Sequence, residues 1–115
     1  MGNTFLAGNW PISIYKDAFL DKNISLEAKG LLGTIVAFIE SKKKKEDIDL
    51  FLSYIDNEHL FNLYKELEVN NYIVYTLIKD LQGEEIKYIT VDGQQYSEEM
   101  KAELKENFEK EQNIF

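Results

Sequence analysis

The sequence predicts an α+β domain, and three observations carry that expectation. Apolar residues recur at helical spacing in three successive stretches between Ser25 and Val69. An aromatic and β-branched run, Tyr72 to Lys79, follows directly. A second run, Ile86 to Val91, returns after a turn around Gly83.

Taken along the chain, residues 1–10 carry two Gly, two Asn and a Trp and read as an arm. Pro11 followed by Ile12, Ser13, Ile14 and Tyr15 alternates apolar and polar, which predicts a short edge strand. Ala18, Phe19 and Leu20 form a helical turn that stops at Asp21-Lys22-Asn23. Ser25 is a good N-cap, and Glu27 in the first turn suits the helix dipole. The helix over 25–41 places Leu32, Ile35, Val36 and Ile39 on one buried face, and Gly30 and Gly33 within it predict close packing against a neighbouring helix. Lys42 to Lys45 form a charged loop. A second helix over 47–55 turns Ile48, Phe51, Leu52 and Ile55 inward. Asp56 and Asn57 supply the turn and cap of a third helix, 58–69, with Leu60, Leu63, Tyr64 and Leu67 inward. Asn70-Asn71 ends it, because Asn tolerates the left-handed conformation of a tight exit. The hairpin spans about 72–91. Ser97 with Glu98 and Glu99 then opens an amphipathic helix with Met100, Leu104 and Phe108 on a narrow stripe.

A chain of 115 residues is one domain, and a domain of this size hides roughly two-thirds of its unfolded surface. With 44% hydrophobic and 30% charged residues it is globular rather than disordered. It has no cysteine, hence neither disulfide nor thiolate metal site, which fits a cytoplasmic setting. Neither a signal peptide nor an apolar run of the roughly 20 residues that span a bilayer is present. Its 13 basic residues, all lysine, stand against 21 acidic ones for a net charge of -8. A net anion is repelled from phosphate at long range, so any contact with nucleic acid needs a local positive patch.

The order helix, helix, helix, strand, turn, strand is that of a winged helix-turn-helix, here assigned to 11–96 with 97–115 as an added C-terminal helix. Ser25-Leu-Glu-Ala-Lys-Gly-Leu-Leu32 and the run from Leu63 to Tyr75 resemble the N-terminal winged helix of phage and plasmid replication initiators, often called replisome organisers. Winged-helix conjugation accessory proteins of clostridial plasmids are similar in size and composition. The resemblance spans roughly residues 12–91 and implies DNA binding. Two departures stand out. Asn71 occupies a position where the family often has Gly, and Glu58, Glu66 and Glu68 lie on a third helix where a DNA reader shows Arg, Ser, Thr or Gln.

Candidate contacts to double-stranded DNA follow. Lys42, Lys43, Lys44 and Lys45 are a phosphate clamp, or else a solvated loop. On the third helix Asn62 suits adenine and Lys65 guanine or phosphate. On the wing, Lys79 and Lys87 near opposite ends of the two strands suit phosphate, and Gln82 at the tip suits adenine. Met100, Leu104 and Phe108 pack back on the domain or, as their narrow stripe favours, pair two copies to meet two half-sites. The lone histidine, His59, would need Glu58 or Glu66 to hold a metal, and no phosphate loop or nucleophile pattern is present, so neither enzyme activity nor a cofactor or metal is expected. The function expected is an accessory DNA-binding protein of a plasmid or phage, at a replication or transfer origin or a promoter. The alternative is an interaction module whose acidic third helix grips a basic partner, such as a replication or conjugation protein.

Overall fold

Helices cover both faces of a small sheet. The computed structural model describes residues 4–8, 15–41, 45–79, 81–91 and 95–114, without the side chains of 5, 7, 45–47, 78 and 108–114. Among the described residues the order is β1 (Thr4–Ala7), α1 (Lys16–Phe19), α2 (Leu26–Glu40), α3 (Lys45–Phe51), α4 (Asn57–Val69), β2 (Val74–Lys79), β3 (Glu85–Thr90) and α5 (Glu98–Ile114). The fold is mixed α+β. No described helix is long and apolar enough to cross a membrane.

Helix starts follow the side chains that satisfy them. Ser25 Oγ accepts the Ala28 N–H at 3.1 Å and opens α2. Asp56 Oδ2 accepts the His59 N–H at 3.3 Å and opens α4. The exit of α4 uses Asn71 at φ 66°, with the Tyr72 N–H bonded to the Leu67 carbonyl and the Asn71 N–H to that of Glu68. That pair of bonds is a Schellman ending, and it directs the chain straight into β2.

The core lies between α2, α3, α4 and one face of the sheet. Leu32, Ile35, Ile48, Leu67, Ile73 and Ile89 are fully buried. Each contributes about 1.5–3 kcal/mol by leaving water. Phe51 departs from the expected inward stripe of α3. It is 55% exposed, because α3 ends at that residue, although its ring meets Phe38 edge-on at 5.6 Å.

The sheet has the order β1-β3-β2, with β1 parallel to β3 and β2 antiparallel to it. Residues 4–7, expected within an arm, are therefore a strand. Four residues are too few to show periodicity, so the pairing with β3 makes the strand and the local sequence does not announce it. Gly8, just after it, has φ 143°, and a Cβ there would lie 2.5 Å from Val91 Cγ2. The edge strand expected at 11–15 falls mostly on residues outside the described ones; Tyr15 itself is buried. Gly30 is a second difference. It is exposed, and a Cβ added there would meet nothing within 4 Å, so no helix packs closely on it.

The other sheet face is covered by α5, which packs against β2. Val74, whose side chain alternates away from Tyr75, is fully buried there. Helix α5 is held by side chains. Lys101 Nζ donates to the Glu68 carbonyl at 3.1 Å and to Asn71 Oδ1 at 2.7 Å, while Lys105 Nζ lies 3.0 Å from Glu68 Oε2. Met100 and Leu104 line a recess of about 270 Å³ with Thr90 and Tyr96 of the same chain. Met100 is 38% exposed and Leu104 half-buried, and the Phe108 side chain lies outside the described residues.

Candidate nucleic-acid interface

Helix α4 and the β2–β3 hairpin carry most of the sequence-predicted contact residues. One side of α4 faces α2, one faces the core, one faces the hairpin, and one faces solvent. The solvent strip holds Glu58, Asn62, Lys65 and Val69, all exposed. The spacing 58, 62, 65, 69 is that of a single helical face.

The glutamates of α4 divide by role. Glu66 is turned toward α2, where its carboxylate accepts from the Ser25 backbone N–H at 2.5 Å and from Ser25 Oγ at 3.0 Å. It thereby satisfies a backbone donor at the start of α2 that has no intrahelical partner. Glu68 is only 5% exposed. Burial alone pushes its carboxyl up, but hydrogen bonds and charge from Lys105 and Lys65 outweigh this and hold it below the usual carboxylate range. The Tyr75 N–H also donates to it, at 3.3 Å. Glu58 alone of the three points outward on the strip, so the acidic surface expected from Glu58, Glu66 and Glu68 together does not form.

His59 Nε2 lies 2.6 Å from Glu27 Oε2 and ties α4 to the first turn of α2. Of the two carboxylates suggested as its metal partners, Glu66 is bonded to Ser25.

On the hairpin, Lys79 ends β2 and pairs with Glu85, while Lys87 in β3 pairs with Leu77. That register makes Lys79 and Lys87 diagonal neighbours on one face, not residues at opposite ends of the wing. The tip, Leu81 to Glu84, is exposed and includes Gln82, with Gly83 at φ 82° making the turn. Lys65 Nζ lies 3.2 Å from Glu68 Oε1 but remains 46% exposed. Lys42, Lys43 and Lys44 lie outside the described residues, and Lys45 is the first residue of α3 with no side chain described.

The hairpin-facing side of α4 supplies residues that the sequence reading passed over. Phe61 lies off the inward stripe, is 45% exposed, and meets Tyr75 edge-on at 6.1 Å. With Leu77 and Lys87 it borders a groove of about 570 Å³ between α4 and the hairpin. Tyr64 lies beneath, its ring centroid 5.5 Å from that of Tyr75. Burial, with the nearby charge of Asp49, pushes the Tyr64 hydroxyl well up, so it stays protonated. An apolar residue one step off a helical stripe was the available signal for Phe61. Nothing local signalled the hairpin register that completes the groove.

No family model, curated protein or solved structure matches the chain.

Proposed function

We propose that this chain is a winged helix-turn-helix protein that binds double-stranded DNA as an accessory factor of a plasmid or phage, at a replication or transfer origin or a promoter. In this reading α4 is the major-groove helix and the β2–β3 hairpin is the wing. The supporting observation is the fate of the α4 carboxylates. Glu66 is bonded to Ser25 and Glu68 is buried against Lys105 and Lys65, so Glu58 is the only carboxylate on the outward strip, which it shares with Asn62 and with Lys65, whose half-exposed ammonium is paired with Glu68. Lys79 and Lys87 add two ammonium groups on one face of the hairpin, although Glu85 stands between them. Lysines would hold phosphates, while Asn62 or Gln82 would read base edges. Two copies would serve two half-sites.

A gel shift with DNA flanking the coding region, run at two salt concentrations, tests it. The expected result is a retarded complex that weakens steeply as salt rises, since phosphate contacts release counterions. Absence of a complex even at low salt overturns the reading.

A further inference from the structure

One buried carboxylate joins the outward strip of α4 to the last helix. Both oxygens of Glu68 are engaged: Oε1 with Lys65 at 3.2 Å, Oε2 with Lys105 at 3.0 Å and with the Tyr75 N–H at 3.3 Å. A carboxylate out of water stays ionised only with cationic or donor partners, and it has one charge to divide among them. Lys105 is the nearer ammonium, and it does more than Lys65 to hold the carboxyl below its usual range. Lys101 sits on the Glu68 backbone carbonyl and on Asn71 Oδ1 rather than on the carboxylate, with Glu98 as its own counter-ion at 3.8 Å.

The two lysines that share Glu68 stand on different helices. Lys65 is the one lysine of the strip formed by 58, 62, 65 and 69, and it is half-exposed. Its pairing spans three residues of the same helix, and such a pair on a half-exposed side chain is weak, so the ammonium can leave it for another anion. What it leaves behind sets the cost. With Lys105 in place, Glu68 keeps a counter-ion when Lys65 swings out. Without Lys105, the same motion strands a buried charge on a single backbone N–H, which is strongly unfavourable.

We propose that Lys105 is a positioning residue for the α4 surface: by neutralising Glu68 from α5, it releases Lys65 to hold a phosphate on the outward strip. The identity of the anion rests on the reading of α4 as the DNA-facing helix, whereas the release of Lys65 rests only on the surroundings of Glu68. Lys105 need not touch the nucleic acid. Its charge acts through a carboxylate that both helices share, so a change on α5 alters what α4 offers.

Limited acetylation of the full-length protein by the N-hydroxysuccinimide ester of acetic acid tests the proposal, with the rate at each lysine read by mass spectrometry and exposed Lys22 as the internal reference. An amine held at a carboxylate must leave it before it attacks, so the rate at Lys65 reports its release. Lys105→Gln is expected to slow Lys65 about threefold relative to Lys22, the ratio that an ion-pair coupling of this exposure gives. Lys105→Arg should restore the parent rate, and Glu68→Gln should raise it. In the Glu68→Gln background Lys105→Gln should no longer matter, a coupling that loss of packing alone does not produce. If Glu68→Gln loses its fold, the contrast between Lys105→Gln and Lys105→Arg decides, since Lys105 is partly exposed. Gel shifts on the same variants should follow the Lys65 rates. A parent that binds no duplex while Lys65 slows as expected overturns the DNA reading and leaves the release of Lys65 standing. Unchanged or faster acetylation of Lys65 in Lys105→Gln, a Lys105→Arg variant that behaves like Lys105→Gln, or a duplex bound equally by the parent and Lys105→Gln would each overturn the proposal.

Discussion

Lys105 on α5 and Glu68 on α4 meet at 3.0 Å, and through this pair the last helix is fastened to the end of α4. Glu68 also takes Lys65 at 3.2 Å and the Tyr75 N–H. The carboxylate is buried, whereas both lysine side chains are partly exposed, at 39% and 46%. The two ends of each pair therefore differ in what they lose. Glu68→Ala leaves lysines that solvent can rehydrate but orphans the Tyr75 N–H and loosens α5. A destabilisation of about 2 kcal/mol is expected. Lys105→Ala leaves Glu68 with Lys65 and should cost about 1 kcal/mol or less. Urea denaturation of both variants checks the order.

The same carboxylate sets an acid limit. Glu68 is held low, and so is Asp21, chiefly by the Tyr72 hydroxyl, which donates to it at 2.5 Å. A folded-state value below the unfolded one means that the unfolded chain binds the proton first. This contribution is therefore present above the ordinary carboxylate range, about pH 4, and is lost as pH falls through the folded values. Thermal unfolding between pH 7 and 3 should show falling stability on the acid side. Glu68→Gln should flatten that fall, and an unchanged acid limb would remove Glu68 from the cause.

Two glycines should respond oppositely to alanine. Gly30 is exposed in mid-helix with open space at its Cβ position, so Gly30→Ala should stabilise by up to about 1 kcal/mol, the helix-propensity difference. Gly8 has a positive φ, with Val91 Cγ2 and the Val91 carbonyl oxygen closer than 3 Å to a Cβ. Gly8→Ala should destabilise, because both backbone strain and a backbone clash must be relieved. Melting temperatures that move the same way for both would contradict this assignment.

What was legible in the sequence follows from where the information lies. Ser25 caps α2, and Leu63, Tyr64 and Leu67 face inward on α4, because caps and stripes are encoded within a few residues. Asn71 likewise takes the left-handed exit that its side chain allows. The strand at Thr4–Ala7 was not legible, since a parallel pairing with residues 87–90 leaves no trace in four residues. Nor was the role of Glu66 or Glu68. A glutamate near the end of a helix reads as solvated until the partner Ser25, 41 positions away, or the lysines of α5 are in place. The hairpin register, which sets Lys79 beside Lys87 and builds the groove on Phe61, is likewise long-range information.

Asn71 takes the left-handed turn at the end of α4, and its side chain ties that turn to α5. Its Oδ1 accepts from Lys101 at 2.7 Å and its Nδ2 donates to Glu98 at 3.1 Å, both on α5. Asn71→Gly should keep the turn, where glycine is at ease, yet loosen α5. Hydrogen exchange of α5 amides should accelerate while that of α2 stays unchanged. Deleting the chain from Ser97 onward should be harsher, because it uncovers Val74 and strips Glu68 of Lys105. A fall in oligomeric state after that deletion would be interpretable only if the remainder stays folded. Met100→Ser, at a position 38% exposed, is the cleaner test of pairing through α5. Light scattering that gives one mass for the parent and for Met100→Ser would rule out that route to a dimer.

The last prediction separates phosphate holding from base reading. If the hairpin is a wing, replacing Lys79 and Lys87 with Gln should weaken DNA binding regardless of sequence and lower the salt slope by about 0.9 for each phosphate contact removed. Replacing Lys42 to Lys45 should act in the same way if that run clamps the backbone. Gln82→Ala on the exposed tip should instead leave affinity for random DNA intact and relax preference between sites, and Asn62→Ala should do so on α4. Glu58→Gln removes the one outward carboxylate of the α4 strip and should strengthen binding modestly. Glu66→Gln should leave DNA contact alone and act on stability, because that side chain holds Ser25. Gel shifts at two salt concentrations with specific and random duplexes read all of these. Should Glu58→Gln weaken DNA binding while the lysine variants leave it unchanged, α4 and the hairpin are not the DNA surface.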